Sequence, residues 1–172
     1  MALFVAGQGD TLAPGALVED PEQVRRLVLT NFVAPAAMAA CLADRMAARG
    51  AGRIGVVGTA AASHSLPFAA SYAGSKAGLA RFTDALRLAV ADRGVSVTLV
   101  SPGFFSRADA NAAASPRPGE IAAGIVAGRM IEAVLAERAE IVVPRRFLLL
   151  RWFDRLLPRI LRDKVLLALR LP

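Results

Sequence analysis

A tyrosine and a lysine stand four residues apart in Ser71-Tyr72-Ala73-Gly74-Ser75-Lys76-Ala77, at the start of a stretch that reads as a helix. Side chains at i and i+4 share a helix face, so the ammonium can lie close to the phenol oxygen. A free phenol titrates near ~10, too high to exchange protons well at neutral pH. A fixed cation nearby favours the phenolate and lowers that value. The spacing therefore suits a tyrosine acting as general acid/base.

The rest of the chain narrows the alternatives. One histidine, His64, makes a histidine metal site or a Ser-His-Asp triad improbable, and it reads as a solvent-exposed loop residue. The single Cys41 excludes an internal disulfide and a cysteine metal site, and it reads as a small core residue in an Ala-rich helix. At 172 residues with 55% hydrophobic content, one α/β domain is expected. Met1–Ala6 lacks a basic flank and is too short for a secretory signal. No uninterrupted apolar run reaches membrane-spanning length, so a cytoplasmic location is expected, membrane-peripheral at most.

Strands that could position the pair follow from short apolar runs. Ala2 to Gly7 is a buried strand entering a Gly-containing turn. Asp20-Pro21-Glu22-Gln23 starts a helix, with Asp as N-cap, Pro at the first helical position and Gln three after the cap. That helix runs to about Arg49. Arg53 to Gly58 is a second strand, Tyr72 to about Arg93 a helix ended by Gly94, and Val95 to Val100 a third strand closed by Ser101-Pro102-Gly103. A loop from Phe104 to about Pro118, a helix from Glu120 to Arg138 and a strand Glu140–Val143 complete a β-α-β-α-β-α-β order. Crossovers of helical length imply a parallel sheet with helices on both faces and right-handed connections. Ligands bind such sheets beyond the carboxyl ends of strands, which makes the loops at Gly7, Thr59 and Pro102 the candidate walls.

Charge divides the chain unevenly. From Pro144 onward eight cations face two anions, a net +6 of the total +7. The domain, 1–144, is otherwise nearly neutral, which argues against nucleic acid as a partner. In 145–172, Phe147 to Leu150, Trp152-Phe153, Leu156-Leu157 and Ile160-Leu161 alternate with Arg151, Arg155, Arg159 and Arg162. This reads as a basic amphipathic helical pair broken at Pro158. It suits either a membrane-surface anchor or an arm packed on its own domain or on a partner subunit.

In this order and spacing the residues resemble the short-chain dehydrogenase/reductase family, up to about Pro144. Tyr72 and Lys76 match its Tyr-x-x-x-Lys, with Ser75 before the lysine. Thr59 falls thirteen residues before the tyrosine, where the family usually has serine, and Pro67 sits five before it. Ser63 and Ser65 are nearby hydroxyls in the same loop. Asn31 matches the asparagine of the family's catalytic tetrad. Val5-Ala6-Gly7 is similar to its Asn-Asn-Ala-Gly turn, and Pro102-Gly103 matches its Pro-Gly motif.

The resemblance implies the C-terminal part of a Rossmann-type doubly wound sheet, with strands matching 4 to 7 of the family. It implies an NAD- or NADP-dependent oxidoreductase acting on a small-molecule alcohol or carbonyl. Tyr72 would exchange the proton, Lys76 would assist it and bind the nicotinamide ribose, and Thr59 would hold the substrate oxygen. Ala6, Gly7, Pro102 and Gly103 would line the cofactor. Phe104 and Phe105 would give the substrate an apolar wall, and Arg107 stands where the family often has threonine. Family members pair through helices matching 22–49 and 72–93, which implies a homo-oligomer.

Two further expectations concern departures from the family. Pro35 lies four residues after Asn31 and has no N–H, so the Asn31 carbonyl loses its helical donor and can take a water. The family's Thr-Gly-x-x-x-Gly-x-Gly turn, which cradles the pyrophosphate, is absent from the sequence. The expected reasons are a fragment or late start, a half-domain completed by another chain, or an inactive domain kept for association.

Overall fold

The computed structural model describes residues 1–106, 120–149 and 156–168. Strand β1 (Ala2–Phe4) leads through a long loop to helix α1 (Pro21–Val28). Asp20 caps that helix as its position implies, its Oδ1 accepting from Glu22 N at 2.9 Å and Gln23 N at 3.3 Å. Gln23 does not close a capping box: its amide donates to the Thr11 carbonyl at 3.0 Å and ties down the preceding loop.

The helix expected to run unbroken to Arg49 is interrupted. A π-turn spans Leu29–Val33 and α2 (Ala34–Ala48) continues from it. Taken together, Pro21–Ala48 is a helix of 28 residues, long and apolar enough by length and composition to cross a bilayer. This corrects the expectation that no such run exists. A core helix passes the same test, and here Leu27, Ala36, Ala39, Ala43 and Met46 are buried against the domain. Cys41 lies on the outer face and is exposed, not a core residue.

Next come β2 (Gly52–Val57), a 3₁₀ turn (Ala60–Ser63), α3 (Ala70–Ala89) and β3 (Val95–Pro102). The short strands β4 (Phe105–Ser106) and β5 (Ile121–Ala122) pair with each other, a feature the sequence does not announce. Then α4 (Ala123–Leu135), β6 (Glu140–Val143) and α5 (Arg159–Ala168) follow. The main sheet has the order β1-β2-β3-β6, parallel throughout. The α/β class and the parallel sheet with flanking helices are as expected.

Alternation along the strands builds a core on each face. Ile54, Val56 and Val97 turn toward Ala43 and Met46 of α2 and Leu79 of α3. On the opposite face Val100 meets Met130 and Val134 of α4. Each buried Ile or Leu contributes about 1.5–3 kcal/mol. At Gly55 the sheet approaches α4 closely: a Cβ there would stand 2.7 Å from a Val134 methyl and 2.8 Å from Leu3. Gly55 thus lets α4 pack close on the face opposite Ile54 and Val56.

Candidate functional site

Parallel register sets three strand ends side by side. Phe4 pairs with Val56, Val57 with Val100, and Pro102 with Val143. The loops opening at Val5, Gly58 and Gly103 therefore share one edge of the sheet, and the N-terminal half of α3 belongs to the same edge.

Lys76 is at the centre. It is only 3% exposed, and its Nζ donates to the Val57 carbonyl at 3.0 Å. Burial pushes the ammonium down from 10.5 to about 8, because desolvation penalises the charged form. At pH 7 the group is still mostly cationic. An ammonium has three donors, so its bond to Val57 leaves capacity for a ligand.

Gly7 faces this cation. A Cβ on Gly7 would sit 2.8 Å from Lys76 Nζ and 3.5 Å from Asn31 Oδ1, so only glycine lets the turn and the ammonium approach this closely. Asn31 is fully buried and holds the same turn by both of its amide atoms. Its Oδ1 accepts from Gln8 N at 2.8 Å, and its Nδ2 donates to the Gln8 carbonyl at 2.8 Å. Nδ2 also reaches Ser75 Oγ at 3.4 Å, and Ser75 Oγ donates to the Tyr72 carbonyl at 3.0 Å. A polar chain thus runs from the turn after β1, through Asn31, into the first turns of α3.

The backbone at Asn31 explains part of this placement. Ala34 N–H reaches back five residues to the Leu29 carbonyl, and Pro35 has no N–H. The donors that a regular helix aims at the Thr30 and Asn31 carbonyls are thus respectively redirected and missing. The lost donor expected at Pro35 goes with a π-turn, Leu29–Val33, that has Asn31 at its centre.

Tyr72 stands half-buried on α3, one turn before Lys76. Thr59 lies at the start of the loop after β2, caps the 3₁₀ turn and is buried; its Oγ1 accepts from Ala61 N at 3.2 Å and lies 3.5 Å from the Pro102 carbonyl as a donor. Thr59 and Pro102 therefore brace two adjacent loops. His64 is half-buried, not solvent-exposed. Ala6 is exposed beside Gly7. Phe104 and Phe105 are also exposed, and the Phe104 ring meets Phe147 edge-on at 6.1 Å. Arg107 lies outside the described residues, as do Arg151, Trp152, Phe153 and Arg155 of the tail.

Three features of the site had no local signal. Glu19 Oε2 accepts the Ser71 N–H at 2.8 Å, capping α3 where Ala69 supplies no side-chain cap. Gln8 is the backbone partner of Asn31. A Cβ on Gly103 would overlap the ring of Phe147, so the first residues of the tail cover the Pro102-Gly103 loop. All three join residues far apart in the chain.

The short chain dehydrogenase family model matches residues 4–118. Dehydrogenase/reductase SDR family member 7B of Bos taurus is 34% identical over 92 residues, 53% of this chain and 28% of that protein. Ketoacyl reductase HetN of Nostoc sp. is 29% identical over 125 residues, 70% of this chain and 44% of that protein. The chain thus spans less than half the length of these curated relatives. Among solved structures, the bulky-bulky ketone specific alcohol dehydrogenase from Comamonas testosteroni superposes with a TM-score of 0.72 at 21% identity, over 98% of this chain and 62% of that one. A short chain dehydrogenase from Burkholderia cenocepacia, in complex with NADP, gives 0.72 at 23% identity over 94% of this chain and 68% of that one.

Proposed function

The chain belongs to the short-chain dehydrogenase family, and from that premise we propose that it carries the proton-transfer half of an NAD(P)-dependent alcohol/carbonyl oxidoreductase, with Tyr72 as general acid/base. The observation that supports this best is the buried Lys76 cation, fixed to Val57 one helical turn from Tyr72 and packed against Gly7.

In the reduction direction Tyr72 gives its hydroxyl proton to the carbonyl oxygen as that oxygen gains charge. Thr59 would hold the oxygen by turning its hydroxyl from the Pro102 carbonyl, since a hydroxyl can donate as well as accept. Lys76 supplies a fixed positive charge and spare donors beside the tyrosine. The carbonyls at the π-turn offer acceptors for a water that returns the proton to the lysine side. In oxidation each proton movement reverses.

The residues fit a dinucleotide only in part. Lys76 and Tyr72 would hold the ribose next to the nicotinamide, and Gly7 leaves the room that a Cβ would fill. When bound, the nicotinamide supplies or accepts the hydride. Over Gly103 the Phe147 ring occupies the loop, so a flat ring can stack there only once Phe147 gives way. No glycine-rich turn is available for the pyrophosphate among the described residues.

That covered loop favours a second reading: an inactive domain kept for association through its helices. Tyr72→Phe decides between them. We expect kcat to fall by about 10²-fold or more with NADH or NADPH and a panel of ketones, while calorimetric affinity for the same cofactors is unchanged. Absence of both turnover and cofactor binding in the unaltered, folded chain would favour the second reading.

A further inference from the structure

Helix α5 is amphipathic the wrong way round for a helix that belongs only to its own domain. A surface helix normally turns its apolar stripe inward. Here the inward side holds Leu166, the one buried residue, with Arg162 and Asp163 half-buried beside it. Arg162 and Arg159 both reach Asp163, at 3.0 and 3.7 Å, so the polar pairing also lies on that side or at its border. The outward side carries Ile160, Leu161, Val165 and Leu167, with Ile160 73% and Leu167 58% exposed. Ile160 and Leu167 are seven residues apart and share a face; Leu161 and Val165 continue it at four-residue spacing. Exposed Leu156 precedes the helix. A contiguous apolar face of this kind marks an interaction surface.

Charge selects the occupant. The segment from Pro144 onward carries eight cations against two anions, while the remainder of the chain carries 13 against 12. A second copy of this chain would bring the same positive segment against itself, and like charges brought together cost affinity. An acidic lipid surface offers both requirements at once: negative headgroups for the arginines and an apolar boundary for the leucines and isoleucine. Lys164 sits within the apolar face and is exposed; a lysine there can bury its methylenes and extend its ammonium to the headgroups. We propose that Leu156 and α5 form a docking surface for an anionic membrane. The chain would then lie on the bilayer, with its site loops on the body of the domain.

The test is sedimentation of the full chain with vesicles of phosphatidylcholine alone and of phosphatidylcholine mixed with phosphatidylserine. We expect binding to the mixed vesicles, weakened by high salt, and little to phosphatidylcholine alone. Ile160→Asp with Leu167→Asp alters two exposed positions, so the fold should survive, checked by circular dichroism. Binding should fall at least about tenfold. Lys164→Glu, a milder change, should reduce the preference for phosphatidylserine while leaving the apolar face intact. Equal binding to both vesicle types, binding undiminished in the double variant, or no binding by the folded chain would each overturn the proposal. So would a loss of self-association, without lipid, in the double variant, since that would make a second copy the occupant. None of these readouts depends on turnover.

Discussion

Burying an ammonium is costly, and Lys76 carries that cost at the centre of the site. Its proton is held only to about 8 in the folded protein, against 10.5 for an exposed lysine. The difference corresponds to about 3 kcal/mol against the charged form. The sign follows from proton counting. Below pH 8 both folded and unfolded chains hold the proton, and the folded state bears the full penalty. Between 8 and 10.5 the unfolded chain holds more protons than the folded one, so the lysine's contribution to stability rises with pH. Lys76→Met removes the charge and also leaves the Val57 carbonyl without its donor, a loss of about 1–3 kcal/mol. The two nearly cancel at pH 7, so the variant should unfold in urea within about 2 kcal/mol of the parent there. Above pH 10.5 the parent has lost the penalty and kept the bond, and Lys76→Met should be the less stable by about 1–3 kcal/mol. Parallel stability curves for the two proteins across that range would show that Lys76 does not titrate as argued. Catalysis should respond in the opposite sense, with turnover falling as the cation is lost above about pH 8.

At the scale of elements, the helix that carries Tyr72 and Lys76 begins without a cap of its own. Ala69 precedes it, and the first-turn amide of Ser71 is met instead by Glu19, 52 residues away in sequence. A carboxylate at a helix N-terminus is favoured by the hydrogen bond and by the helix dipole. Glu19→Ala should lower stability by about 1–2 kcal/mol. It should also speed hydrogen exchange at the Ser71 amide, next to the candidate general acid. Glu19→Gln, which can still accept, should fall between. Unchanged melting and unchanged Ser71 exchange in Glu19→Ala would mean the contact holds nothing. The same contact explains what could be read from the chain and what could not. The four strands of the main sheet were legible because each is an apolar run bounded by Gly or Pro. The Asp20-Pro21 start was legible because capping is local. Tyr72, Lys76, Thr59 and Asn31 were legible because their spacings are counted along the chain. The start of α3 at Ala70, before the tyrosine, was not, because its cap comes from a distant loop. Pro35 signalled a lost helical donor at the Asn31 carbonyl, but a missing N–H does not by itself specify a π-turn that interrupts the helix. Cys41 was misjudged because an Ala-rich helix shows little contrast between its faces. The β4–β5 pair is too short for alternation to mark it, and Phe147 over Gly103 is a tertiary contact with no sequence pattern.

At the scale of the molecule, one edge of the sheet bears on whether the chain is self-sufficient. Strand β1 pairs with β2 on one side, and among the described residues no strand pairs with its other side. An edge strand presents unpaired backbone groups and is a template for another strand. This edge is also apolar: Leu3 and Val5 are exposed, and with Leu29, Pro35 and Met38 they border an open groove of about 690 Å³. β1 is short, at three residues, but neither a charge nor a proline in Ala2–Phe4 protects its edge from pairing. The outward groove between α2 and α3, lined by Ala40, Ala43, Ala47 and Ala89, is a second candidate contact between copies. The two can be separated by charge. The chain should associate as its concentration rises, with weight-average mass measured by sedimentation equilibrium. Leu3→Lys places a charge on the β1 edge and should shift that association toward monomer by about tenfold or more in Kd, since it removes an apolar contact and adds a repulsion between identical edges. Ala43 is buried between α2 and the sheet, so the helix groove is probed at exposed Ala40 with Ala40→Glu. If Ala40→Glu dissociates the protein and Leu3→Lys does not, copies meet through the helices. The strand edge would then stay open for a different polypeptide. If neither does, the chain is monomeric at both surfaces and the edge-pairing argument fails.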